Sequence, residues 1–205
     1  KEYVKSLFAK YNVECDLDAY PADLPPSTIS LIEIVKAVSW KPDILLLDEV
    51  TATLHHNEVE LLFKNLKELA AAGTAIVFVT HRMGEIYRVA SRAVILRNGE
   101  SVADVDRIVY HMTGKMPEPM QNQTVCAVKG SSDAALYVEG LSIEGVIKDV
   151  SMCVNNGEII GLGGLEGQGQ SQFLRALYGV IPYSSGQILI GGRKVKYTNP
   201  ADAVK

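Results

Sequence analysis

The stretch ILLLDE at residues 44–49 decides the fold class, because an unbroken apolar run is followed directly by two acids. Such a run, without alternation, is typical of a parallel β-strand covered on both faces. An amphipathic helix follows, with a predicted cap at Asn57 and a predicted end at Gly73. A second buried strand is predicted over 74–80, with His81 at its carboxyl end. This order predicts a right-handed βαβ unit and an α/β fold.

A helix and a hairpin flank this unit. Ser30 and Glu33 form a possible capping box for a mostly buried helix that ends near Trp40. On the other side, Asn98-Gly99 is the strongest short turn signal in the chain and predicts a β-hairpin whose first arm is 93–97.

The second patterned block runs from an apolar strand, 158–162, through a glycine-rich loop into a helix over 172–178. Strand, glycine-rich loop and helix is an arrangement that binds phosphate. The loop fits G-x-x-x-x-G-K-[ST] from Gly164 to Ser171, except that Gln170 stands at the lysine position. Gln170 can donate hydrogen bonds but carries no charge, so we expect reduced nucleotide affinity. A tight structural turn is the alternative, whereas the glycine spacing argues against a dinucleotide site.

Length and composition exclude several classes of protein. The 205 residues correspond to about 1.4 domains at ~150 residues each. With 47% hydrophobic and 21% charged residues the chain can fold, and a net charge of −4 argues against a chain that mainly wraps nucleic acid. The three cysteines are too scattered for a disulfide framework or a zinc site, and no apolar run is long enough to span a bilayer.

The middle of the chain lacks any apolar period. Residues 116–134 are rich in Pro, Gln, Asn, Ser and Gly, which indicates a linker between a first block, 1–115, and a second block, 135–205. The chain opens without Met and closes without a helix stop, so we expect it to be a piece of a longer protein.

Three features with chemical potential are predicted at strand ends, where ligands bind in open α/β sheets. Asp48 could hold Mg²⁺, usually through water, and Glu49 could polarise the water that attacks a γ-phosphate. His81 could reach the same phosphate. The alternative is two solvated acids and a structural histidine.

Taken in order, ILLLDE at 44–49, TATL at 51–54 and VFVTHRMGE at 77–85 resemble the Walker B, D-loop and switch-histidine series of ABC-type ATPases. The segment EIVKAV at 33–38 and the loop and helix GLEGQGQSQFLRALYG at 164–179 are similar to the tandem ATP-binding subunits of bacterial monosaccharide importers of the ribose, galactose and xylose type. The resemblance implies a P-loop NTPase-like parallel sheet with helices, plus an antiparallel β portion.

In that family the glycine loop precedes its own acids, whereas here it follows them. The resemblance therefore implies that 1–115 is the carboxyl half of a first ABC domain, 116–134 a linker, and 135–205 the amino half of a second domain. A natural circular permutant, which could pair the two halves into one pseudo-domain, remains open.

The resemblance also implies residue roles. Glu49 would be the general base, Asp48 the Mg²⁺ ligand and His81 the γ-phosphate contact of a first site, while the glycine loop would serve a second. We expect no complete site in this chain and negligible ATP hydrolysis by it alone. The predicted nucleotide contacts of the loop are Gly164, Gly167, Gly169, Gln170 and Ser171.

The family's signature motif falls on a degenerate segment. Two prolines remove two N–H donors at the helix start that should face the γ-phosphate. The adenine-stacking aromatic of the family is also missing, because none lies between Leu141 and Gly145. Together these features predict a second site that binds weakly or does not turn over. The degenerate signature consists of Leu24, Pro25, Pro26, Ser27 and Thr28.

The resemblance finally implies ATP and Mg²⁺ as cofactors and a cytoplasmic position at the inner face of the cell membrane. The implied partners are transmembrane permease subunits, a periplasmic sugar-binding protein acting through them, and the remainder of the protein's own chain, but no nucleic acid. Two alternatives stay open: a soluble ABC-type ATPase that acts on ribosomes or DNA, and a non-catalytic regulatory pseudo-domain.

Overall fold

The computed structural model describes residues 1–11, 13–102 and 134–204. The predicted linker, 116–134, lies outside the described residues apart from Ala134, and so does the end of the first block, 103–115. None of the helices in the described ranges has both the length and the apolar character needed to cross a bilayer.

The described part of the first block contains four helices, a short 3₁₀ turn over Pro21–Asp23 and four strands. In chain order they are α1 (Glu2–Lys10), α2 (Pro26–Ser39), β1 (Ile44–Asp48), α3 (His56–Ala71), β2 (Ala75–Val79), α4 (Met83–Val89), β3 (Arg92–Arg97) and β4 (Glu100–Val102).

The described part of the second block contains five strands and two helices. They are β5 (Ala134–Ile143), β6 (Ile147–Asn155), β7 (Ile159–Gly164), α5 (Gln170–Leu177), β8 (Ser185–Ile190), β9 (Arg193–Val195) and α6 (Pro200–Ala203).

Strand β7 of the second block lies between two strands of the first. The larger sheet has the order β1-β2-β7-β3-β4, and β7 is parallel to both β2 and β3. All six residues of β7 are buried. Without β7, the facing edges of β2 and β3 would be unpaired, which is unfavourable for buried backbone groups. The two blocks therefore share one sheet, as the pseudo-domain alternative allows.

The remaining strands form a second, antiparallel sheet with the order β6-β5-β8-β9. The parallel βαβ unit over β1, α3 and β2 and the antiparallel hairpin over β3 and β4 are confirmed. A parallel sheet with helices plus an antiparallel portion is the predicted α/β fold class.

Two cores lie on opposite faces of the parallel sheet, because successive side chains of a strand point to opposite faces. On one face, Val77 and Val79 pack with the antiparallel sheet and with Phe173 of α5. On the other face, Ile76 and Phe78 pack with the apolar sides of α2 and α3. The sheet is thus covered on both sides, as its continuous apolar strands indicate.

Three predicted helix starts are wrong, and one of them is that of α5, which begins at Gln170 and not at residue 172. Helix α2 begins at Pro26, so Ser30 is an interior residue, and its hydroxyl lies 2.8 Å from the hydroxyl of Thr53 instead of capping the helix. Helix α3 is capped at His55 and not at Asn57, because the backbone N–H of His55 donates to the Glu58 carboxylate at 2.7 Å. The predicted ends hold: Trp40 follows α2, and Gly73 has a φ of +107° after α3.

Glycine in β7 lets α4 approach the strand closely, which provides a test of the shared sheet. A Cβ atom on Gly161 would lie 2.4 Å from Ile86 Cγ2 of α4, whereas one on Gly84 would meet nothing within 4 Å. We expect Gly161→Ala to lower the free energy of unfolding by about 1–3 kcal/mol through overpacking. The matched Gly84→Ala change should raise it by about 0.5 kcal/mol. Denaturant unfolding measures both, and a Gly161→Ala protein as stable as the wild type would contradict this packing.

Candidate functional site

Three loops meet at the carboxyl edge of the parallel sheet. Asp48 is the last residue of β1 and Glu49 follows it, while His81 comes two residues after the end of β2. The glycine loop follows β7. Because β1, β2 and β7 are parallel neighbours, their carboxyl ends lie side by side. The predicted convergence at strand ends is therefore present, and it includes residues of both blocks.

At this edge a hydrogen bond from the Ser171 hydroxyl to Asp48 Oδ1 at 2.8 Å links the two blocks. Ser171 lies in the first turn of α5. The acids and the glycine loop, which were expected to serve separate sites, therefore lie in contact in this structure. The reason is the position of β7, which pairs with β2 and so carries its loop to the acid that ends β1.

Glu49 and His81 face each other across the same edge. His81 Nδ1 lies 3.4 Å from Glu49 Oε1, and their side chains are 45% and 39% exposed. Glu49 has a φ of +50°, a left-handed conformation that costs an L-residue about 1–2 kcal/mol. Its backbone N–H donates to the carbonyl of Val79 at 3.0 Å, which ties the turn after β1 to the end of β2. Strained residues of this kind are typical of functional sites.

The glycine loop has backbone angles that favour glycine. Gly167 and Gly169 have φ values of +79° and +104°, and Gly164 has a φ of +150°. Gly169 is the cap residue of α5, so the loop leads directly to the N–H groups of the first helical turn, which lack partners within the helix. Together with the helix dipole, these groups favour an anion at this position.

Gln170 fills the inside of this loop. Its side chain is buried, with the residue 7% exposed, and its Nε2 donates to the carbonyl of Leu165 at 3.2 Å. A Cβ atom on Gly164 would lie only 2.1 Å from this nitrogen, so the glycine leaves room for the amide. The loop therefore holds a neutral donor where the motif has lysine.

Two turns pack against the loop. Gln168 Oε1 accepts a hydrogen bond from the backbone N–H of Asn98, in the β3–β4 turn. The turn between β5 and β6 also packs against the loop, where a Cβ atom on Gly169 would be 3.4 Å from the Val146 carbonyl oxygen. Val146 is partly exposed. Gly169 thus contacts Val146 and Ile147, which directly follow the segment 141–145 that should hold the adenine-stacking aromatic.

The degenerate signature lies at the start of α2. Pro25 is the cap residue and Pro26 the first helical residue, and no side chain caps this helix. Helix α2 packs through Ile34, Val35 and Val38 into the core on the sheet face opposite α5. The segment 24–28 is thus on a different helix and a different face from the glycine loop.

Sequence reasoning missed a hydrogen-bonded cluster behind the acids. The buried carboxylate of Glu85, on α4, accepts hydrogen bonds from the hydroxyls of Thr51 and Thr80 at 2.7 and 2.8 Å. These residues lie within the segments 51–54 and 77–85, but Thr51 and Glu85 are 34 positions apart, so no local pattern predicts their contact.

Comparison with known proteins shows what the chain is similar to. Residues 147–204 match the ABC transporter family. A putative ribose/galactose/methyl galactoside import ATP-binding protein of Ralstonia nicotianae is 35% identical over 98% of this chain and 40% of its own length. The ribose import ATP-binding protein RbsA of Bacillus subtilis is 34% identical over 100% of this chain and 42% of its own length.

The similarity thus includes both blocks, and the chain spans about two fifths of the length of the curated relatives that it matches. The predicted resemblance is confirmed by these matches and by the fold. Residues 147–204 thus match the ABC transporter family, and nearly the whole chain is similar to part of longer import ATP-binding proteins.

Proposed function

We propose that the chain provides ATP-binding and ATP-hydrolysing machinery that energises the import of a monosaccharide. The observation that carries the proposal is the contact of Ser171 with Asp48 at 2.8 Å, beside a glycine loop that opens a helix. In phosphate-binding loops of this type the Ser/Thr after the lysine position and an acid at a strand end together hold Mg²⁺.

We assign a task to each part of this edge. Backbone N–H groups of the glycine loop and the start of α5 bind the phosphates, and the Gln170 amide adds an uncharged donor. Glu49 accepts the proton of the attacking water, and His81 donates a hydrogen bond to the γ-phosphate from the neighbouring loop, after β2. Their exposed positions at the sheet edge leave both side chains accessible to a nucleotide.

The Ser171 and Asp48 oxygens fit Mg²⁺, which prefers oxygen ligands and is usually held by one or two protein groups plus phosphate and water. Within the described ranges, no three His, Cys, Asp or Glu side chains form a metal site by themselves. The nucleotide's own phosphates would complete the ligand set. The ion would neutralise charge on the phosphate oxygens during transfer.

We further propose that 1–115 and 135–205 correspond to the carboxyl half of one ABC domain and the amino half of another, joined by 116–134. The match of both blocks to about two fifths of longer relatives supports this arrangement. Two domains with the same fold have equivalent strands, so the second half can complete the sheet of the first. Because the strands are equivalent, the glycine loop of the second block can meet the acids of the first block at one edge of the shared sheet.

The wider setting follows from the relatives, which are named as import ATP-binding proteins. We propose that the protein uses Mg²⁺ and ATP, binds transmembrane permease subunits at the cytoplasmic face of the cell membrane, and serves a periplasmic sugar-binding protein through them. The net charge of −4 does not favour nucleic acid as a partner.

Titration of the chain with ATP in the presence of Mg²⁺ tests the proposal. We expect weak binding by the wild type and tighter binding by Gln170→Lys, by about 10- to 100-fold, because a charged donor adds about 1.5–3 kcal/mol. Turnover should stay negligible in both proteins, because the signature segment that would complete a site is degenerate.

Gln172→Lys is the matched control, since it adds the same charge two residues further along α5 outside the loop. The function would be refuted by a wild-type chain that binds no ATP, or by equal gains from the two lysines. Salt-dependent binding of RNA or DNA would instead favour a soluble ABC-type ATPase.

A further inference from the structure

One buried carboxylate is not used by the proposed binding and hydrolysis steps. Glu85 is 8% exposed and lies in the first turn of α4, behind the acids of the sheet edge. Removing a charge from water is costly unless hydrogen bonds or an opposite charge compensate it. The partners of this carboxylate should therefore indicate why the charge is retained.

The carboxylate joins two loops. Its Oε2 accepts the hydroxyl hydrogens of both Thr51 and Thr80, and its Oε1 lies 3.3 Å from a guanidinium nitrogen of Arg82. The Thr80 hydroxyl in turn accepts the backbone N–H of Arg82 at 3.0 Å. Both threonines are 2% exposed, so these bonds are shielded from competing water. The cluster fixes the backbone on both sides of His81.

These loops carry the two residues assigned to the γ-phosphate. Thr51 follows Glu49 by two positions, and Thr80 immediately precedes His81. Glu49 is held in a left-handed conformation, which persists only where surrounding contacts determine it. The backbone contacts of this turn include Glu49 N–H to Val79 O at 3.0 Å and Ala52 N–H to Glu49 O at 3.1 Å. The Thr51 bond to Glu85 is its buried side-chain anchor.

We propose that Glu85 is a positioning residue, which sets Glu49 and His81 at the spacing required for the γ-phosphate by fastening both of their loops to α4. The inference rests on the proposed function. Glu85 would thus do more than stabilise the fold, because the two loops that it fastens follow different strands and meet only at the sheet edge.

The test follows the His81 ring by NMR. The sequence has four histidines, so their ring C–H signals can be assigned by single substitutions. We expect Mg-ATP to shift the His81 signal in the wild-type chain. Glu85→Met keeps side-chain length but removes both acceptors, so the shift should be lost while ATP affinity changes by no more than about threefold, or ~0.6 kcal/mol.

Glu158→Met is the matched control. Glu158 is also a nearly buried carboxylate and pairs with Arg92 Nε at 2.6 Å, but it lies just before β7, at the opposite end of that strand from the loop. This variant should lose stability and keep the His81 shift. Thr51→Val provides a second variant that preserves side-chain shape, and it should lose the shift, whereas Thr51→Ser retains the hydroxyl and should preserve it.

In the full-length protein, Glu85→Met should lower kcat by about 10²-fold with little change in KM, since a misplacement of about 1 Å can cost that much. The inference is overturned if Glu85→Met keeps the His81 shift, or if ATP binds the wild type without moving the His81 signal. If the wild type binds no ATP at all, the proposed function itself has failed.

Discussion

Glu49→Gln is expected to lower ATP hydrolysis by the full-length protein by about 10²- to 10⁴-fold, the range that a positioned general base contributes. The amide has the shape of the carboxylate but cannot accept the proton of the attacking water. Glu49 lies at the carboxyl end of β1, 3.4 Å from His81 Nδ1, in a turn tied to β2 through Val79. ATP binding should be retained, because the proposed phosphate contacts are made by the glycine loop and not by this side chain.

The measurement is steady-state ATPase activity together with ATP affinity. Glu60→Gln is the control, because Glu60 is a glutamate on the outer face of α3, where it pairs with Arg88. This control should behave as the wild type in both assays. Near-normal hydrolysis by Glu49→Gln would show that catalysis does not depend on the acids at the end of β1.

Much of the local structure can be predicted from sequence because it depends on neighbours along the chain. The continuous apolar runs over β1 and β2 and the Asn98-Gly99 turn predict their strands directly, and Gly73 predicts a helix end. Helix starts are harder. Asn57 is a good cap residue by composition, but the Glu58 carboxylate bonds to the backbone of His55 and moves the start. Competing local hydrogen bonds decide such boundaries.

The position of β7 cannot be read from the sequence. A strand that is apolar on both faces fits beside any strand of a parallel sheet, so its own pattern does not specify its neighbours. Gly161 and Gly163 are the residues that distinguish the observed place, because α4 packs directly over both, with Ile86 side-chain atoms within 3.0 Å of the Cβ positions. Such a contact becomes visible only when the partner helix is known.

The candidate site, too, can be predicted only in part from the sequence. The strand-end rule brings Asp48, Glu49 and His81 to one edge, and this part of the prediction is confirmed by the sheet. The pairing of Ser171 with Asp48 depends instead on the strand order, since the two residues are 123 positions apart. The order of motifs in the family predicts two separate sites. That order applies to complete domains, each of which contains both its own glycine loop and its own strand-end acids.

The central claim is that the two blocks form one Mg-nucleotide site through Ser171 and Asp48. A double-mutant cycle on Mg²⁺-dependent ATP affinity tests it, with the single variants Asp48→Asn and Ser171→Ala and the double variant. We expect each single change to weaken binding by about tenfold, which is ~1.4 kcal/mol. Residues in direct contact are coupled. The double variant should therefore bind ATP at most about threefold more weakly than the single variant with the lower affinity.

The exposed pair Lys148 and Glu100, which also links the blocks, is the control cycle, and its removal should leave the Mg²⁺ dependence unchanged. The account therefore predicts strong coupling between Asp48 and Ser171 in the Mg²⁺-dependent part of the ATP affinity, with no comparable effect from the control pair. Independent effects that multiply in the double variant, or an affinity that does not depend on Mg²⁺ in the wild type, would contradict a shared site.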